Sequence, residues 1–136
     1  MADLRAVHAM MAADEASRAL GIELVDCTDG RATTRMTVRP DMVNGHGMAH
    51  GGMIFSVADT AFACACNAAG PVTVASSGDI VFVSPARAGE VLVAEGVRRV
   101  GFGRQGVYDV TVRCGERVVA EFRGRSHRMA TPERGA

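Results

Sequence analysis

The sequence predicts an α+β domain in which one antiparallel β-sheet wraps around a single long apolar helix. Three observations predict it. Residues 51–68 read as a helix that is hydrophobic almost all round, with Asp59 its lone charge, so it must be buried. A period of two marks residues 22–38, and residues 72–128 read as four further strands separated by tight turns. No long helices separate the last four strands, which excludes a doubly wound parallel sheet.

The elements follow in order. Residues 3–20 have helical composition, with Leu4, Val7, Met11 and Leu20 available for one face, and Gly21 is placed to end the run as a C-cap. Ile22 to Thr28 and Arg31 to Val38 flank Asp29-Gly30, a hairpin signal. In the second of these strands Ala32, Thr34, Met36 and Val38 alternate with Arg31, Thr33, Arg35 and Thr37, so one face is wet. A loop from Arg39 to His50, rich in glycine, delivers the chain to the helix of residues 51–68, which Asn67, Gly70 and Pro71 close. Strands are expected at Val72–Ala86, Glu90–Val100, Val107–Cys114 and Arg117–Arg128, separated by Pro85 with Gly89, by Gly101-Phe102-Gly103 and by Gly115-Glu116.

Composition narrows the function classes. At 136 residues and 48% hydrophobic, residues 1–136 are expected to form one domain with a real core, and residues 130–136 a flexible tail. No run approaches the roughly 18 apolar residues of a membrane span, and the N-terminal stretch carries acids where a signal peptide is basic and then apolar. The expectation is a cytoplasmic chain. Cys27, Cys64, Cys66 and Cys114 form no C-x-x-C pair and read as reduced, buried thiols, with no metal site. All 15 basic residues are arginine, and the zero net charge is uneven: residues 1–86 carry five arginines against nine acids, residues 87–136 ten against six. This excess is modest and lacks interleaved aromatics, so nucleic acid is not an expected partner. The C-terminal arginines read either as a solvated sheet face or as partners of a phosphorylated ligand, with Arg99 and Arg104 as a candidate site.

The stretch that carries chemistry is Asn44 to Asn67. His50-Gly51-Gly52 stands at the helix entrance, where glycines let a ligand approach unpaired backbone N–H groups. Asp59 follows on the same apolar helix, where an acid is costly unless it has a partner or a task. A donor for an oxygen and a carboxylate together suit attack on a carbonyl. Each residue also has a plainer reading. Asp59 can be a buried structural acid, Asn44 a turn residue, Gly51 and Gly52 sites of close packing, and His50 a loop stabiliser. Phe55 and Phe62, seven residues apart, are core or interface residues first and pocket walls second.

The pattern Asn44-x-x-Gly47-x-x-His50-Gly51-Gly52-x-x-Phe55-x-x-Ala58-Asp59-x-Ala61-Phe62, with Ala65, Asn67, Val83-Ser84-Pro85-Ala86 and Gly89-Glu90 downstream, resembles the hotdog-fold acyl-CoA thioesterases, specifically the phenylacetic acid degradation branch. The resemblance runs from about Gly21 to Arg128. It implies the hotdog fold, hydrolysis of phenylacetyl-CoA, hydroxyphenylacetyl-CoA or related acyl-CoA thioesters, and no metal or redox cofactor, coenzyme A being part of the substrate. It also implies a homotetramer built from dimers. Asp59 corresponds to the acid that attacks the carbonyl or activates a water, Gly51 to the N–H that polarises its oxygen, and Asn44 to the positioning side chain. His50, Gly52, Phe55 and Phe62 fall around the substrate, and Ser76 or Ser77 could supply an assisting hydroxyl.

Gly51 and Asp59 are eight residues apart. On a helix that is about 12 Å, too far for both to touch one carbonyl, so the site is expected to combine Gly51 and Asn44 of one subunit with Asp59 of another. Two other functions fit the pattern: a hotdog hydratase or dehydratase, and a non-catalytic acyl-CoA-binding module.

Overall fold

The computed structural model describes residues 3–68 and 70–130. The tail expected at 130–136 lies, from residue 131 onward, outside the described residues. Two short helices, α1 (Arg5–Ala13) and α2 (Glu15–Ala19), precede a hairpin of β1 (Glu23–Thr28) and β2 (Arg31–Thr37). A 3₁₀ turn at Pro40–Met42 leads into the long helix α3 (Gly51–Asn67). Four strands follow: β3 (Thr73–Phe82), β4 (Val91–Phe102), β5 (Gln105–Cys114) and β6 (Arg117–Arg128). All pairings are antiparallel, and the sheet order is β1-β2-β4-β5-β6-β3.

The helix expected over residues 3–20 is corrected to two. Asp14 breaks it with ψ at 88°, because its carboxylate caps α2 by accepting from the Ser17 N–H at 2.9 Å. An aspartate gains more as an N-cap than inside a helix. Ser17 also bonds Asp14 through its hydroxyl and meets Thr60 Oγ1 at 2.9 Å, which ties the N-terminal helices to α3. Gly21, with φ at +70°, ends α2 in the left-handed conformation expected of it.

The sheet closes on α3 through alternating inward residues. Met36, Leu92, Ala94, Val110, Val112 and Phe122 are buried against Ile54, Val57, Ala58, Ala61, Phe62 and Ala65 of the helix. Glycines admit the helix where it comes closest. A Cβ on Gly124 would stand 2.7 Å from Cε2 of Phe62, whose ring packs between Tyr108 and Phe122. At the helix end the Asn67 side chain donates to the Thr73 carbonyl at 2.9 Å and accepts from the Thr73 N–H at 2.9 Å, stitching α3 to β3. No helix among the described residues is long and apolar enough to cross a membrane.

Of the two edge strands, β1 and β3, the second is the longer and exposes more large apolar side chains. β3 pairs with β6 on one side only, and Val74, Val81 and Phe82 along it, with Val72 and Val83 at its ends, are all at least 44% exposed. An unpaired apolar edge strand of ten residues is a template for another strand.

The contact between Phe62 and Gly124 gives a stability prediction. Gly124→Ala should cost about 1–3 kcal/mol through overpacking, read as a lower denaturation midpoint. Phe62→Leu in the same chain should recover part of that loss. Strict additivity of the two losses would contradict the packing described.

Candidate active site

The loop before α3 is built to leave one backbone donor free. Asn44 Oδ1 accepts from the N–H groups of His46 at 2.9 Å and Met48 at 3.2 Å, so the oxygen is spent on the loop and the Nδ2 donor is left over. A Val43–Ala49 bridge and the bonds Ala49 N–H to Ala86 O and His50 N–H to Met42 O, both 2.7 Å, fix the loop to the body. His50 caps α3: its Nδ1 accepts from the Gly52 N–H at 3.1 Å. An accepting Nδ1 places the ring proton on Nε2. His50 therefore occupies the Gly52 donor, and the Gly51 N–H has no acceptor among the described residues. The helix dipole adds its positive end at this point.

Gly51 has a steric reason as well. A Cβ there would lie 2.9 Å from the ring of Phe82. Around it is an open cavity of about 410 Å³, bounded by Asn44, Gly51, Ile54, Phe82, Val83 and Pro85. Its walls are largely apolar, its donors are Asn44 and Gly51, and it opens where Phe82 and Val83 stand exposed beside the bare sheet edge.

Asp59 does not line this cavity. Both residues lie on the unbroken helix α3, so the separation of about 12 Å along its axis is realised. The Asp59 carboxylate is half-buried and has no hydrogen-bond or ion-pair partner among the described residues. Burial raises its pKa above the ordinary aspartate value, and the Asp14 carboxylate raises it further. An acid held this way is a better proton acceptor than a free aspartate.

The remaining expected site residues divide. Phe55 is half-buried and sets its ring edge-on to Phe122 at 5.2 Å, against the core. Phe62 is 1% exposed within the chain and packs as core. Ser76 donates to the Arg125 carbonyl at 3.2 Å beside a register shift in β3, and Ser77 lines a separate hollow with Arg123 and Arg125. Neither serine joins the Asn44–Gly51 cavity of its own chain. Arg99 and Arg104, grouped in the sequence, are parted: Arg99 pairs with Asp109 at 3.1 Å, whereas Arg104 lines a cavity with Arg98 and Arg128. Arg99 lies within β4, whereas Arg104 sits in the turn that follows it. Which arginines of separate strands converge depends on strand pairing, which local pattern does not reveal, and so Arg98 and Arg128 were not expected there.

The unpartnered carboxylate sets a pH dependence. Folding raises the Asp59 pKa, so the folded chain holds that proton more tightly than the unfolded chain. The stability so contributed is complete below the unfolded pKa and is lost as pH rises through the folded one. Asp59→Asn, which imitates the protonated form, should raise Tm at neutral pH, with the gain disappearing in acid. A lower Tm at neutral pH would reveal a partner that stabilises the charge.

Comparison with known proteins shows the family. Residues 46–121 match the thioesterase superfamily model, a span that contains the His50-Gly51-Gly52 entrance and Asp59. The acyl-coenzyme A thioesterase PaaI of Escherichia coli K12 is 46% identical over 123 residues, covering 90% of this chain and 88% of that protein. The structure of E. coli PaaI, from the phenylacetic acid degradation operon, superposes with a TM-score of 0.90 at 43% identity, covering 93% of this chain and 92% of that one. A mutant of the phenylacetic acid degradation protein PaaI from Thermus thermophilus superposes at 0.82 with 35% identity, covering 85% and 100%. With its six-stranded antiparallel sheet around one long helix, the chain belongs to the thioesterase superfamily, in the PaaI branch of its hotdog-fold acyl-CoA thioesterases.

Proposed function

We propose that the protein hydrolyses the thioester of phenylacetyl-CoA, hydroxyphenylacetyl-CoA or related short, medium-chain or aromatic acyl-CoAs to the free acid and CoA. The observation that carries this reading is the free Gly51 N–H at the entrance of α3, facing an apolar cavity beside the Asn44 amide. As the carbonyl carbon is attacked its oxygen gains charge, and a fixed donor at a helix start stabilises that charge without reorganising. The Asn44 Nδ2 is placed to bond the same oxygen or the attacking group. The largely apolar walls suit an aryl or alkyl acyl group, and the similarity to PaaI supports an aryl-acetyl one.

Asp59 acts as nucleophile or general base. Its open coordination and raised proton affinity suit either task. In the first, the carboxylate adds to the carbonyl carbon, CoA leaves as thiolate, and water opens the mixed anhydride. In the second, Asp59 takes a proton from the water that attacks. Neither course needs a metal or redox cofactor.

The acid must come from a second subunit, because α3 holds Gly51 and Asp59 too far apart to serve one carbonyl. The bare apolar edge of β3 supports a dimer across that edge, and two such dimers give the homotetramer of this reading. The hydratase alternative lacks support in the position of His50, whose Nδ1 is engaged in capping the helix.

Thiol release from a panel of acyl-CoA thioesters, ranked by kcat/KM, tests the substrate class. Asp59→Asn should keep the fold and lower kcat by about a hundredfold or more. Asn44→Ala should lose less. Near-normal turnover by folded Asp59→Asn, or crotonyl-CoA hydration in place of thiol release, would overturn the proposal. In the wild type kcat/KM should fall with acidification at a pH above the usual aspartate range.

A further inference from the structure

One wall of the Asn44–Gly51 cavity comes from residues 83–90, which belong to no helix or strand, so the hydrogen bonds they make to neighbours decide where that wall stands. Backbone bonds pin its two ends. The Val83 and Ser84 N–H groups donate to the Val119 carbonyl at 2.8 and 3.2 Å, and the Gly89 N–H donates to the Val38 carbonyl at 2.7 Å. In the middle, where Pro85 lines the cavity, a side chain does the pinning. Pro85 has no N–H, which leaves its carbonyl to be held, and Nη1 of Arg117, at the start of β6, donates to that carbonyl. Nη2 of Arg117 donates to Glu90 Oε2, which also accepts from the Cys114 thiol at 3.2 Å, while Glu90 Oε1 accepts from the Arg87 N–H at 2.7 Å. The next residue along, the buried Ala86, accepts from the Ala49 N–H at 2.7 Å, two residues before Gly51.

The Arg117–Glu90 pair differs from Arg35–Glu23 and Arg113–Glu95, which join exposed side chains across strands: both of its partners also bond the backbone of the cavity wall. An ion pair open to solvent adds little stability by itself. What this one supplies is position. The guanidinium is planar and rigid, so the bond from Nη2 to Glu90 sets where Nη1 holds the Pro85 carbonyl. A shift of Pro85 carries Ala86 with it, and the Ala86–Ala49 bond passes the shift to the loop that ends at Gly51. A backbone donor stabilises a developing oxyanion only at hydrogen-bond distance, and small misplacements cost rate steeply. The stretches Val83-Ser84-Pro85-Ala86 and Gly89-Glu90, conspicuous in the sequence but without a task in the chemistry, thereby gain one.

We infer that Arg117, oriented by Glu90, is a positioning residue of the reaction: its fork fixes the Pro85 wall and, through the Ala86–Ala49 bond, the place of the Gly51 donor. The inference rests on the hydrolytic reading of that cavity. Arg117 touches neither the acyl group nor the carbonyl, and it acts through the backbone of the wall.

The test compares wild type, Arg117→Ala and Arg117→Lys, each checked for fold and assembly, by acyl-CoA turnover and by amide hydrogen exchange read by mass spectrometry. Arg117→Ala should lower kcat by about tenfold or more while KM stays within about threefold. Its amides over residues 44–51 should exchange faster, with those of the β1–β2 hairpin unchanged. Guanidinium at about 10 mM, far below denaturing concentrations, should restore part of the lost kcat to Arg117→Ala and none to wild type. Arg117→Lys, which keeps the charge without the planar fork, should recover less than half of the loss. Unchanged kcat in folded Arg117→Ala would overturn the inference. So would a loss of kcat with faster exchange throughout the chain and no guanidinium rescue, which would mark a general loosening. If the wild type itself releases no thiol, exchange still decides: a change confined to residues 44–51 would uphold the brace and place the failure in the proposed hydrolysis, and unchanged exchange there would overturn the brace as well.

Discussion

Everything in this structure is arranged around one rigid helix that must bury nearly its whole circumference while presenting a backbone donor and a carboxylate. Burial explains the wrap of the sheet, the glycine at position 124 where the Phe62 ring crosses, and the N-terminal helices tied down through Ser17 and Thr60. Rigidity explains the site. A continuous α-helix allows no relative movement between its first turn and its third, so Gly51 and Asp59 stay about 12 Å apart and, in the function proposed, serve different carbonyls.

The chemistry follows from what the loop spends and what it saves. His50 consumes the Gly52 N–H, and Asn44 consumes its own oxygen on His46 and Met48. What is saved is one N–H and one amide donor, on two residues that line an apolar cavity. Asp59 is saved in another sense: it sits half-buried with no cation beside it, and a second acid, Asp14, near enough to raise its proton affinity. Leaving it unpaired costs stability, a cost that active sites commonly carry.

Much of this was legible in the sequence because it lies in local pattern. The all-round apolar helix, the alternation of β2 and the His50-Gly51-Gly52 entrance each depend on neighbours in the chain, and each stands where expected. What escaped depends on events between strands or on competition within a helix. Asp14 splits the first helix because its side chain captures the Ser17 N–H, a choice that composition does not reveal. Arg99 goes to Asp109 while Arg98, its neighbour on the opposite face of β4, lines a cavity with Arg104 and Arg128, so the expected pair Arg99 and Arg104 do not share a site. The register shift between Ala75 and Ser77 likewise left the faces of Ser76 and Ser77 unreadable.

The central claim is that each reaction centre is divided between two chains, and mixing two defective proteins tests it most directly. Asp59→Asn chains retain Gly51, and Gly51→Val chains, in which a side chain would collide with Phe82, retain Asp59. After complete subunit exchange half the dimers are mixed, and each mixed dimer holds one site with both groups intact. The account predicts recovery of about a quarter of wild-type thiol release from two inactive preparations. No recovery, with exchange verified by mass, would place the donor and the acid in one chain and contradict the account.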